Sequence, residues 1–387
     1  MTQLLLPIIY LAFISLGLPD SLLGSAWPTM YPQLGVPFSY AGILSMIISL
    51  GTIVSSLNSD RLTRALGTGR VTALSVGMTA AALFGFSVSG QFWMLCLWAI
   101  PYGLGAGSVD AALNNYVALH YKSRHMSWLH CFWGVGTVIS PFIMGYALTN
   151  RTWNSGYRII GFLQLAIALL LLLTLPVWNI NKSATETAGK SVGLVGALKI
   201  KGVPFLLLGF FAYSALEATA MQWASTYFVE VKGISTERAA TFAALFYIGI
   251  TSGRFASGFI TDKLGDQKMI RLGTGILICG ILVLFLPIAS YQAAFAAFLV
   301  IGFGCAPIYP CIIHSTPSNF GAENSGAIIG IQMASAYIGT TFIPPIFGIL
   351  GNSIGFFILP LYLLVFVALM ITMVEVTFRI TKNRNSL

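Results

Sequence analysis

Twelve runs of about twenty mainly apolar residues follow one another along this chain of 387 residues, and they limit its fold more than any other feature. They fall near residues 3–30, 38–59, 71–89, 92–119, 126–149, 156–178, 203–230, 236–260, 271–289, 291–316, 324–350 and 354–378. A helix rises about 1.5 Å per residue, so some 20 apolar residues cross the ~30 Å hydrocarbon core of a bilayer. In lipid every backbone N–H and C=O needs a partner within its own structure, so runs of this length are helices. Only 8% of the residues are charged and 57% are hydrophobic, with a mean hydropathy of +0.84. A water-soluble globule carries about a quarter charged residues. The first run is too long for a signal peptide and lacks its cleavage site, so it is expected to be a mature helix.

The net charge of +9 invites a nucleic-acid reading, and the placement of the charges removes it. With both termini in the cytoplasm, sixteen Lys and Arg residues fall on the cytoplasmic side, and four (Arg151, Arg158, Lys232 and Arg238) on the other. That bias sets orientation in a membrane. The expected location is the inner (plasma) membrane, multi-pass, with the lipid bilayer as partner and no nucleic acid. The five cysteines lie in predicted helices without a C-x-x-C pair, as small packing residues.

A polar stretch at residues 179–202 divides the runs six and six, predicting two bundles, 1–178 and 203–387, joined by a cytoplasmic linker. The halves echo each other. Gly51 and Asp60 precede Leu66-Gly67-Thr68-Gly69-Arg70; Gly253 and Asp262 precede Leu264-Gly265-Asp266-Gln267-Lys268. Six-helix halves related by an internal repeat form a transporter architecture, with the solute site between them near mid-membrane. This loop pattern resembles that of the major facilitator superfamily, twice and in degenerate form. Asp60, Arg61 and Arg70 match in the first copy, and Asp262 and Lys263 stand in the second. Within that superfamily, an acid late in the first run, with glycines, an acid and Asn-Asn in the fourth, resembles the fucose and glucose/galactose:proton symporters. The resemblance implies an all-α membrane protein of twelve transmembrane helices in two pseudo-symmetric halves, and a monomer.

Two carboxylates are improbable enough to single out. Asp110 is the only Asp, Glu, Lys or Arg in its run, and so is Asp20. A charge at mid-bilayer costs ~2.5–3.5 kcal/mol on insertion scales and marks a pathway or a proton relay. Asn114 lies four residues after Asp110, on the same helix face, with Asn115 beside it. The Gly103, Gly105 and Gly107 series follows no strand, so it reads as close helix packing rather than a nucleotide fingerprint. Asp20 follows Pro19, which breaks the helical ladder; Gly24 and Trp27 follow on its face. The resemblance implies proton coupling or sugar binding for an acid here. His130, Trp133, Gly134 and Thr137 form one stripe, in which an aromatic face and a polar group suit a sugar.

In the second half, Glu217 is another lone acid, followed by Gln222 and Trp223. His314 lies among Pro307, Pro310 and Pro317, and Gln332 shares a face with Ser335. Arg254 with Asp262, like Arg61 with Asp60, reads as a gating or structural charge cluster. His120 and His125 flank a loop and are expected in solvent. The pattern predicts proton-coupled symport of a small neutral hydroxylated solute, with a monosaccharide as the expected solute. Asp110, Asp20 or Glu217 carries the proton, and the amide, imidazole and indole groups hold the solute. A carboxyl that takes up a proton sheds the desolvation penalty of passing through an occluded state. The alternative is proton-driven export of drugs or amphiphiles, which the 13% aromatic content permits. An enzyme or a sensor has less support, since the sequence shows no metal-ligand cluster, nucleophile elbow or phosphate loop. No cofactor or metal is expected.

Overall fold

The computed structural model describes residues 2–179, 192–286 and 291–385, and these are helical throughout, without strands. The long helices are α1 (Thr2–Asp20), α2 (Leu22–Leu34), α3 (Ala41–Leu66), α4 (Thr68–Val88), α5 (Phe92–His120), α6 (Ser123–Asn150) and α7 (Trp153–Leu173). They continue as α8 (Val203–Lys232), α9 (Thr236–Leu264), α10 (Asp266–Phe285), α11 (Tyr291–Cys305), α12 (Ile308–His314), α13 (Thr316–Phe320), α14 (Ala322–Ile354) and α15 (Leu359–Asn385). Eleven spans among the described residues are long and apolar enough to cross a membrane, and α9 is the twelfth segment. Most of the expected linker, residues 180–191, lies outside the described residues.

Two runs read as single helices are broken. The first splits at Ser21, just after Pro19 and Asp20, so α1 and α2 together make one span. The tenth splits into α11, α12 and α13, at Ala306-Pro307 and at Ser315. In both places a proline withdraws an N–H from the ladder, as its position in the sequence implies.

The chain forms two compact units: Met1–Tyr116 with Phe132–Val192 and Ala322–Ala334, and Val117–Cys131 with Gly193–Gly321 and Ser335–Leu387. In the first unit α4 packs along α7; in the second, α8 packs along α15, and α11 along both α9 and α10. The internal repeat is visible in the backbone. Gly67 and Gly265 end α3 and α9 with φ of +85° and +78°, and their N–H groups cap onto Thr63 and Thr261 at 2.8 Å each. Only glycine adopts that backbone without strain.

Helix crossings repeat as well. A Cβ on Gly103 or Gly107 of α5 would strike the carbonyls of Ile48 or Thr52 on α3; a Cβ on Gly249 of α9 or Gly302 of α11 would strike Leu299 or Phe246. These are the close backbone approaches that small residues permit between membrane helices, as expected for the glycines of α5. Gly103→Ala is therefore expected to cost about 1–3 kcal/mol through overpacking. Gly77→Ala, with open space around its Cβ, should be neutral or slightly stabilising. Thermal unfolding midpoints of the two variants in detergent check this, and equal midpoints would remove the packing argument.

Candidate solute and proton site

The break between α1 and α2 positions Asp20. Ser21 at the break donates its hydroxyl to the Thr137 carbonyl of α6 at 2.7 Å, and α2 restarts with the Ser25 N–H on the Ser21 carbonyl at 3.2 Å. Gly17 of α1 and Gly136 of α6 let the two backbones touch, since a Cβ on either would meet the other helix's carbonyls. Asp20 thus ends α1 between two other helices. The Trp133 indole N–H of α6 donates to its Oδ2 at 2.8 Å, and the Tyr102 hydroxyl of α5 to its Oδ1 at 3.4 Å.

Asp20 opens onto a cavity of about 380 Å³ within the first unit, whose lining includes Gly24, Trp27, Phe38, Ser49, Tyr102 and Tyr157. Trp27 is itself fixed, donating its N–H to the Phe38 carbonyl at 2.7 Å. On its other side Asp20 borders a much smaller space of about 10 Å³, walled by Ser15, Thr79, Tyr102 and Val109. That volume is near the minimum for one water molecule.

Val109 precedes Asp110, which is buried at 4% exposure. Asn114 is fully buried and donates to the Asp110 carboxylate at 2.8 Å and to its main-chain carbonyl at 2.9 Å. The i,i+4 pair is real. α5 is held in place by a stripe of hydroxyls on α3: Ser55 bonds Leu104 and Ser108, and Ser56 and Ser59 donate to Gly107 and Ser108 at 3.2 and 3.4 Å. Asn115 does not join Asp110; its carbonyl oxygen accepts from Ser325 at 2.7 Å.

The other residues expected at the site serve different partners. His130, 5% exposed, sets its ring edge-on to Tyr309 with centroids 4.8 Å apart in the second unit, while Trp133 serves Asp20 in the first. Spacing along a helix does not show which neighbour each residue of a stripe will meet. Glu217 is not a lone acid. Arg254, 3% exposed, lies 3.4 Å from its Oε1, so a buried guanidinium faces a partly buried carboxylate. The expected pairs Arg254–Asp262 and Arg61–Asp60 do not form. Asp262 pairs with Arg124 at 3.3 Å and Asp60 with Arg64 at 3.0 Å, the latter by i,i+4 geometry, which an adjacent residue lacks. Arg61, Arg70 and Lys263 are exposed.

Trp223 donates to the Pro344 carbonyl at 2.9 Å and packs on Phe347 and Phe356, which braces these elements of the second unit. Gln222 is exposed and Gln332 fully buried. The Ser335 hydroxyl is taken by the Leu207 carbonyl at 2.9 Å. His314 contacts Asp266 and the Tyr121 carbonyl. His125 is not simply solvated, for its ring lies edge-on to both Tyr121 and Trp128. Sequence reading missed Tyr102, although it lies about two turns before Asp110 on one helix, and it missed the i,i+4 pairing of Arg64.

A polytopic helical membrane protein with a repeated half, broken helices and a carboxylate on the wall of a cavity has the architecture of a solute transporter. The sequence profile of the Major Facilitator Superfamily matches residues 9–344, and the chain belongs to that family. Its fold is that of the transporter FucP in the outward conformation, with a TM-score of 0.80 at 15% identity over 96% of this chain and 98% of that one. A second structure, of a variant of the E. coli fucose:proton symporter FucP, matches with a TM-score of 0.75 at 16% identity, over 97% and 98% of the two chains. In sequence the chain is similar to the Saccharomyces cerevisiae bypass of stop codon protein 6, 20% identical over 92% of this chain and 79% of the yeast protein. It is also similar to the probable nitrate/nitrite antiporter NarK1 of Thermus thermophilus, 26% identical over 84% and 82%.

Proposed function

We propose that this transporter carries a small neutral hydroxylated solute, a monosaccharide, together with a proton by alternating access. The observation that carries the reading is Asp20, a carboxylate held by Trp133 and Tyr102 on the wall of a cavity of about 380 Å³. That volume is in the usual range for small-molecule sites, ~300–1,000 Å³. Indole and phenol rings there suit the C–H faces of a sugar, and the carboxylate and serine hydroxyls suit its O–H groups. Asp110 with Asn114 lies within electrostatic reach of Asp20, so a change of charge at one acid is felt at the other. Neutralising Asp20 as solute binds lets the loaded form pass through a closed state at lower cost.

The solute assignment rests on this chemistry, because relatives of similar identity carry other solutes, as the name of NarK1 indicates. FucP, a fucose:proton symporter by name, supports it through fold likeness alone. We place the termini and the basic loops on the cytoplasmic side of the cell membrane, from the asymmetry of Lys and Arg. The roles of the six-helix bundles 1–178 and 203–387, and a monomeric state, are part of the same proposal.

The test is uptake into proteoliposomes with a panel of monosaccharides, nitrate and lipophilic cations, with and without an inward proton gradient. Gradient-driven accumulation of a monosaccharide is the expected result. Uptake of none of the sugars, with gradient-driven efflux of a cation, would replace this reading with the exporter. A solute that equilibrates equally with and without the gradient would end the coupling claim.

A further inference from the structure

His314 ends α12 with both ring nitrogens against acceptors in the second unit. Its Nδ1 lies 2.7 Å from Asp266 Oδ2 and its Nε2 lies 3.1 Å from the main-chain oxygen of Tyr121. A neutral imidazole has one N–H and one lone pair. It donates to one of these oxygens and turns its lone pair on the other. Two favourable contacts need the imidazolium, or else a protonated Asp266 that donates to Nδ1 while Nε2–H donates to Tyr121. Both arrangements hold the same number of protons, one more than a neutral histidine beside a carboxylate.

We infer that His314 and Asp266 form a proton-binding site, distinct from Asp20 and Asp110, that fastens the Tyr121–Arg124 turn while it is occupied. The turn is gripped at further points. The Ser123 hydroxyl donates to Asp266 Oδ1 at 2.5 Å, and the Arg124 main-chain N–H to Asp262 Oδ1 at 3.1 Å. The facing charged and titratable groups are Asp262 from α9, Lys122, Arg124 and His125 from the turn and α6, and Cys311 from α12. Asp262 is paired with Arg124. His125 Nε2 accepts from the Arg124 side chain at 3.4 Å, which fixes that ring as neutral. The extra proton therefore belongs to the His314–Asp266 pair. Both side chains keep some exposure, 19% and 16%, so the proton exchanges with solvent.

The fastened turn binds more protons than the released one, so raising the pH disfavours it. If transport proceeds by alternating access, release of the turn in the cycle would then be faster at high pH on its side of the membrane. Only that consequence rests on the transport reading; the site is tested without any solute.

The chain has four histidines, few enough for ¹⁵N-histidine NMR of the full-length protein in nanodiscs. One resonance, absent from His314→Gln, should report a proton on both ring nitrogens, or on Nε2 with a strongly hydrogen-bonded Nδ1, and should titrate as one step. Hydrogen exchange over residues 121–126, corrected for intrinsic rates, should lose protection by up to about tenfold per pH unit through that step. In His314→Gln that dependence should vanish. A His314 ring that is unprotonated and weakly hydrogen-bonded at pH 6 would overturn the site. Wild-type protection that is flat across the titration would overturn the fastening. The wild-type exchange readout depends neither on how the variant folds nor on whether any solute is transported.

Discussion

Asp20→Asn is expected to abolish proton-driven accumulation while leaving solute exchange in place. The substitution keeps the size of the side chain and an oxygen for the Trp133 N–H, but an amide takes up no proton in the physiological range. Proteoliposomes carrying the variant should therefore equilibrate the solute without concentrating it under an inward gradient. Because Asp20 is neutral in the loaded form, the amide keeps most of the hydrogen bonds to solute hydroxyls, and the loss should not exceed one neutral bond, ~0.5–1.5 kcal/mol or up to about tenfold in affinity. Counterflow should persist at a correspondingly higher half-saturating concentration. Asp110→Asn provides the comparison. Asp110 is buried and already accepts from Asn114, so its replacement should alter coupling through Asp20 more than it alters affinity. Accumulation that survives Asp20→Asn but not Asp110→Asn would move the proton to the buried acid.

The second large effect is on stability. Glu217→Gln removes the carboxylate beside Arg254, whose side chain is 4% exposed while that of Glu217 is 14% exposed. Breaking a buried ion pair from one side leaves a charge without its counterion and costs about 3–5 kcal/mol. The variant should unfold at a clearly lower temperature in detergent, and Glu217→Gln with Arg254→Gln should recover much of the loss. Glu375→Gln is the control. It breaks the forked pair with Arg271 at 2.6 and 2.8 Å, but the Arg271 side chain is 54% exposed, and such pairs contribute about 0–1 kcal/mol. A loss in Glu217→Gln no larger than in Glu375→Gln would show that Arg254 is compensated elsewhere.

Local rules carried the sequence reading a long way. Lipid allows a 20-residue apolar run little choice but helix, so the twelve segments were legible. Pro19 announced the break at Ser21, the glycines of α5 announced a close crossing, and Asp110 with Asn114 followed from helix periodicity. Partners across helices were not legible. Nothing near Glu217 in the sequence points to Arg254, and nothing near Asp20 points to Trp133. Glu217 therefore read as a lone acid, and Trp133 as a companion of His130. Tyr102 was passed over because a tyrosine in an apolar run is ordinary until its hydroxyl is found on a carboxylate. For Asp60 the i,i+4 spacing to Arg64 was available in the sequence, and that is the pair that forms.

The first compact unit includes Ala322–Ala334, which has a consequence for biogenesis. Those residues supply the Met333 sulfur beside Asn114 and the Ser325 hydroxyl on Asn115. They leave the ribosome roughly 130 residues after Val192, on the order of ten seconds later at ordinary elongation rates. Until then the α5 asparagines wait in the bilayer without these neighbours. The first six spans thus insert early but mature late, and a chain truncated before α14 should persist as an exchange-prone intermediate, open to chaperones and membrane proteases.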